Sequence, residues 1–168
     1  MQKILLSVSM VIISTICAKA QSEYETATYV LIGEHNRSTA SNDYLSPARD
    51  NGDRWRMAKR VERIDSCKYQ LITDWTTLHP NGTESFVKNI ERFDLNALSS
   101  ADLDPTTIGQ QRIELRGHEF ACWTSIRGDK ATDFGCRNKS LISIAGDTQV
   151  WIRAYAHLRA NFCKGRAF

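Results

Sequence analysis

After its first residues the sequence has no long apolar run, and its 168 residues include only three prolines and nine glycines, with no large excess of either charge. Each shortage removes a class. Scarce glycine and proline exclude a collagenous or low-complexity chain, and 42% hydrophobic against 24% charged residues excludes a compositionally disordered one. No segment repeats itself at a period of roughly 20 to 50 residues, so solenoids and propellers are not expected. Also missing are a GxSxG elbow, an HExxH helix, a P-loop, a GxGxxG turn and a calcium loop. No cofactor and no metal site is therefore expected.

What is present begins with a leader. Met1-Gln2-Lys3 is a short basic start, Ile4 to Cys17 is an apolar run of 14 residues, and Ala18-Lys19-Ala20 offers small residues at a cleavage site. The run is shorter than the roughly 20 residues of a membrane-spanning helix. A signal peptide over 1–20 is predicted, and with it a secreted or periplasmic protein without a transmembrane segment. The remaining chain is read as an N-terminal strand and polar loop over 21–53, then a single β-rich domain with a C-terminal helix over 54–168. Removing Lys3 and Lys19 from the 22 basic residues leaves 20 against 19 acidic ones. Near-neutrality gives no electrostatic case for a nucleic-acid partner.

Cleavage would also remove Cys17, leaving an even set: Cys67, Cys122, Cys136 and Cys163. In an exported chain such a set reads as disulfides. Cys122 and Cys136 stand equally far from Asp129 in the turn Gly128-Asp129-Lys130, so a hairpin there sets them face to face. That leaves Cys67 for Cys163.

Glu23 to Ile32 is rich in β-branched and aromatic residues and predicts a strand. Gly33 to Asp53 reads as loop, and Arg54 to Arg63 as a short helix or a twisted edge strand. From Cys67 to Trp75 apolar residues alternate with polar ones, the two-residue period of a half-buried strand. His79-Pro80-Asn81-Gly82 turns the chain, residues 84–93 return it, and Asp94 to Pro105 reads as a loop or a helical turn. Segments around Ile113 to Ile126 and Cys136 to Ile144 complete an antiparallel meander. The period then changes: Asp147 can cap a helix in which Val150, Trp151, Ala154, Tyr155, Leu158 and Phe162 share one side. The expected fold is α+β and mainly antiparallel β, a curved sheet or small barrel packed by one C-terminal amphipathic helix and stabilised by disulfides.

From about Arg60 to Cys163 this layout resembles a pleckstrin-homology-like barrel. The residues that carry the resemblance are Trp151-Ile152-Arg153-Ala154-Tyr155-Ala156-His157-Leu158, with a tryptophan near the start of the closing helix. The turn Leu78 to Ser85 lacks the paired Lys and Arg with which that family binds inositol phosphates. Similarity of fold implies no activity here.

Arg54, Arg56, Lys59, Arg60 and Arg63, interleaved with Trp55, form the one stretch with binding character, and Trp123 is a second aromatic among polar neighbours. Arginine pairs carboxylates and phosphates in bidentate fashion, so these seven residues are the candidate binding surface, facing another protein or an anionic surface. Trp75 and Trp151 read as core anchors. His35, His79, His118 and His157 have no diagnostic neighbourhood, and no catalytic residue is assigned. Asp94, Asp102 and Asp104 read as turn formers. Asn36, Asn81 and Asn138 stand in glycosylation sequons. The leading expectation is an exported, disulfide-stabilised, non-catalytic binding or protein-interaction module, such as an inhibitor or a component of an envelope or secretion complex. The alternative is a small secreted nuclease-like hydrolase working through His118, Glu119 or His157.

Overall fold

The computed structural model describes residues 22–33, 44–104, 111–144 and 147–164. The predicted leader and residues 34–43 of the predicted polar loop, His35 and Asn36 among them, lie outside them. Its elements are α1 (Glu23–Ile32), β1 (Tyr44–Leu45), β2 (Arg54–Asp65), β3 (Lys68–Leu78), β4 (Glu84–Asp94), β5 (Leu98–Asp104), β6 (Gln111–Arg127), β7 (Lys130–Ile144) and α2 (Thr148–Asn161).

The first element corrects the expected strand over Glu23 to Ile32: it is a helix. Ser22 accepts the Glu25 amide on its hydroxyl while Glu25 accepts the Ser22 amide, a reciprocal cap, and Gly33 closes the other end in the left-handed region at φ 75°. Thr26 to Ile32 are all buried. A helix covered on every side takes its stability from packing, which outweighs the strand preference of its β-branched residues.

Strands β2 to β7 form an antiparallel meander in which β4 and β5 act as two halves of one arm. Phe93 faces Ala121 and Val87 faces Arg127, while Leu98 faces Gly117 and Asp104 faces Arg112, so both halves lie along β6. Asp94 to Pro105 was expected as a loop or helical turn. Its described part is a short turn followed by β5, and the turn bends the arm: the Ala97 amide bonds the Asp94 carbonyl at 3.0 Å. Directly opposite, β6 is irregular between Arg116 and Ala121, and Glu119 takes φ 47° with its amide held by the Asn138 side chain. Gly117 lies so close to the arm that a Cβ there would stand 2.3 Å from the Ala97 carbonyl oxygen. Paired bends in neighbouring strands curl the sheet into a half-barrel.

Two helices fill one end of that half-barrel. Helix α1 touches both β2 and β7, the far sides of the meander, as well as α2. Helix α2 starts at Asp147, whose carboxylate accepts the Gln149 amide, and buries Trp151 and Leu158. The Trp151 indole N–H donates to the Val30 carbonyl at 2.9 Å. Tyr69, Phe93, Phe120, Leu95, Leu98 and Leu115 complete the core. Each large side chain so covered contributes roughly 1.5–3 kcal/mol. Trp75, expected in the core, is only half-buried, because its part of the sheet extends beyond the helices.

Both disulfides join the predicted pairs. Cys122 and Cys136 are register partners in β6 and β7 with Cα atoms 3.9 Å apart. Cys67, in the β2–β3 turn at φ 55°, joins Cys163 beyond α2 with a Cα separation of 5.6 Å.

Candidate functional site

Side chains alternate across a strand, so β2 divides the basic stretch between two faces. Arg54, Arg56 and Arg60 point to the outer face, away from the helices. Trp55 and Lys59 point to the inner face, as do Val61, which enters the core, and Arg63, which pairs with Glu23 at 3.2 Å. Register carries the outer set into the next strands: Arg56 lies in a row with Thr76 and Phe86, and Ala58 in a row with Asp74 and Lys88. Arg54, Arg56, Arg60, Lys88 and Arg92 are all exposed along that face, as is Phe86, at 60%. The region was expected as a short helix or an edge strand; it is a strand paired along its length with β3 and, at Met57 and Arg56, with β1.

Not every arginine of the outer face is available. Arg60 pairs with Asp74 and with Glu62, the latter at 3.1 Å, and Arg54 donates to the Ser46 carbonyl. Bonds from Gln70 and Arg60 hold the Glu62 carboxyl below the usual carboxylate range.

On the inner face the tryptophans form two separate groups. Trp55 packs on Trp75 with ring centroids 5.1 Å apart, beyond the helices. Trp123 stacks on Phe134 at 4.4 Å, with the Arg137 guanidinium 5.4 Å from its ring centroid. Arg137 in turn pairs with Glu91 at 2.7 Å, which also accepts the Ser140 hydroxyl. Trp123 shares a row with Glu91, Leu71 and Val61, whereas Trp55 shares one with Thr77 and Ser85, so the seven predicted residues are not one patch.

The histidines are equally dispersed. His118 lines an open depression of about 420 Å³ at the sheet corner with Ser99, Arg116, Gly117, Asn138 and Lys139. Arg116 and Lys139 both pair with Glu114, and these contacts, Lys139 first, lower the Glu114 carboxyl. His157 bonds Asn161 within α2 and meets Phe162 edge-on. Among the described histidines only His79 meets a carboxylate: Nδ1 lies 3.0 Å from Asp53 and Nε2 lies 3.2 Å from the Ser85 hydroxyl. Sequence reasoning missed Asp53, which precedes β2, and Ser85, at the start of β4, as well as Phe86, Lys88 and Arg92, whose even spacing on β4 was a readable outward signal.

Among the described residues, the one cluster of three metal-ligating side chains is Glu23 with Cys67 and Cys163, and both thiols are joined in the disulfide. Asp94 forms the expected turn and accepts the Asn96 amide, whereas Asp102 and Asp104, expected in a turn, lie in β5 opposite Glu114 and Arg112, and Asp102 accepts the Ser100 hydroxyl. No family model, curated protein or solved structure matches the chain.

Proposed function

We propose that this chain is an exported, disulfide-stabilised binding or protein-interaction module whose partner presents an acidic protein face or another anionic surface. The observation that carries the reading is the outer face of β2 to β4, where Arg56 lies in the row of an exposed Phe86, Lys88 stands two residues along β4 from it, and Arg92 continues the same face. Arginine beside an exposed aromatic ring is the composition of contact surfaces, because it combines charge steering with apolar area that loses water on docking. Export is supported by the two disulfides, and no helix of the described residues is long and apolar enough to cross a membrane. A meander closed by α2 supports relating the fold to pleckstrin-homology-like barrels, with α1 as an addition ahead of the sheet.

The test is retention on immobilised heparin in a salt gradient. Replacing Arg54, Arg56 and Arg60 with Ser abolishes retention if the outer face binds; unchanged elution overturns the reading. Arg56→Ser alone accounts for more of the loss than Arg60→Ser, because Arg60 is already held between Asp74 and Glu62. The hydrolase reading through His118, Glu119 and His157 gains no support, since His157 is bonded within its own helix and His118 sits on the sheet corner.

A further inference from the structure

At the end of the half-barrel away from the helices, Asp53, His79 and Ser85 form a continuous hydrogen-bonded chain. Asp53 precedes β2, His79 follows β3 and Ser85 is the second residue of β4. One oxygen of the Asp53 carboxylate accepts the Asn51 side-chain amide at 2.8 Å, and the other lies 3.0 Å from His79 Nδ1. An ionised carboxylate only accepts, so Nδ1 carries the proton and donates it. In the neutral ring Nε2 is then an acceptor, and the Ser85 hydroxyl, 3.2 Å away, donates to it. The two turns are packed together: Gly52, at φ 81°, lies where a Cβ would be 2.8 Å from the Pro80 ring. The Ser85 side chain is exposed, and on its face the register places Thr77 directly opposite and Trp75 on the diagonal, with Trp55 packed on Trp75.

We infer that Ser85 is an activated nucleophile that accepts acyl or phosphonyl groups from small activated esters, with His79 as its base and Asp53 as the positioning residue. The inference goes beyond the anionic-partner reading and does not rest on it. The order hydroxyl, Nε2, Nδ1, carboxylate is the arrangement in which an imidazole takes a serine proton as the oxygen attacks. With a carboxylic ester, the bond from Ser85 Oγ to the acyl carbon forms while the hydroxyl proton passes to His79 Nε2. The bond from acyl carbon to the leaving oxygen then breaks, and that oxygen takes the proton from Nε2 and departs as an alcohol. The Trp55–Trp75 pair beside the serine favours an apolar acyl group.

The probe is an alkyl fluorophosphonate, which forms the Ser85 Oγ–P bond and releases fluoride, with the proton passing through His79 to solvent. The full chain with both disulfides formed is incubated with it, and the adduct is located by peptide mass spectrometry. Labelling falls on Ser85, is absent in Ser85→Ala, and slows about 100-fold in His79→Gln. Asp53→Asn slows it roughly tenfold or more with an unchanged thermal midpoint, which separates orientation of the ring from support of the fold. Heparin elution of Ser85→Ala stays at the wild-type position, so failure here is distinguishable from failure of the outer-face reading. No adduct at Ser85 in the folded protein, or a wild-type rate in His79→Gln, overturns the inference.

Discussion

Glu23 is the residue on which the filled end of the barrel converges. Its carboxylate accepts the Cys67 amide at 2.8 Å and the Tyr69 hydroxyl at 2.6 Å and pairs with Arg63. Burial alone raises the Glu23 carboxyl, but these three partners outweigh it and leave it below its ordinary 4.5. A carboxyl lowered by folding stabilises the protein above the unfolded value and ceases to as pH falls through the folded one. Tyr69 is shifted the opposite way: burial, then its bond to Glu23, push the phenol well above its ordinary 10. Its contribution is present below pH 10 and is lost as pH rises beyond. Glu23→Gln should cost about 1–3 kcal/mol at pH 7 and flatten the loss of stability below pH 4.5. Urea unfolding at pH 7 and at pH 3 checks this, and an equal cost at both would refute it.

At the scale of elements, the two helices differ in how they could be read. Helix α2 was visible because one side of it faces water, which leaves the three- and four-residue spacing of Trp151, Ala154, Tyr155 and Leu158 in the sequence. Helix α1 has no wet side and so no such period. What betrays it is its punctuation, Ser22 with Glu25 three residues on and Gly33 at the end. The strands were legible where apolar residues alternate with polar ones in the sequence, as in β3, and illegible in β5, which exists because β6 is long enough to pair with a second half-arm. The basic stretch was visible too, but its division between two faces follows only once β2 is known to be a strand. The Asp53–His79–Ser85 chain left no trace, since it joins turns that meet only in the folded sheet. Helix α1 should be the more sensitive to its contact with α2. Trp151→Phe leaves the Val30 carbonyl without its donor and should cost about 1–3 kcal/mol, measured as a shift in the urea midpoint at constant slope. Ser22→Ala, which removes only the cap, should cost about 1 kcal/mol. A larger loss from Ser22→Ala than from Trp151→Phe would contradict this ordering.

At the scale of the whole molecule, the two disulfides hold different things. Cys122–Cys136 joins strands already paired, 14 residues apart in sequence, whereas Cys67–Cys163 ties the end of α2 to the first hairpin across 96 residues. Chain entropy assigns ~3 kcal/mol to the short loop and ~4–5 kcal/mol to the long one. Replacing Cys67 and Cys163 with Ser should therefore lower the urea midpoint more than replacing Cys122 and Cys136. It should also weaken the near-ultraviolet signal of Trp151, which the second pair leaves intact. Equal effects would show that the long bridge does not hold α2 in place.

The indole bond from α2 to α1 spans 121 positions. During synthesis α1 is made early, yet every surface that shelters it, from β2 and β7 to α2, is made later. Its buried threonines and aliphatic residues therefore lack their native cover until the chain is nearly complete. The helix nearest the beginning of the described chain is thus the last to gain its full set of neighbours.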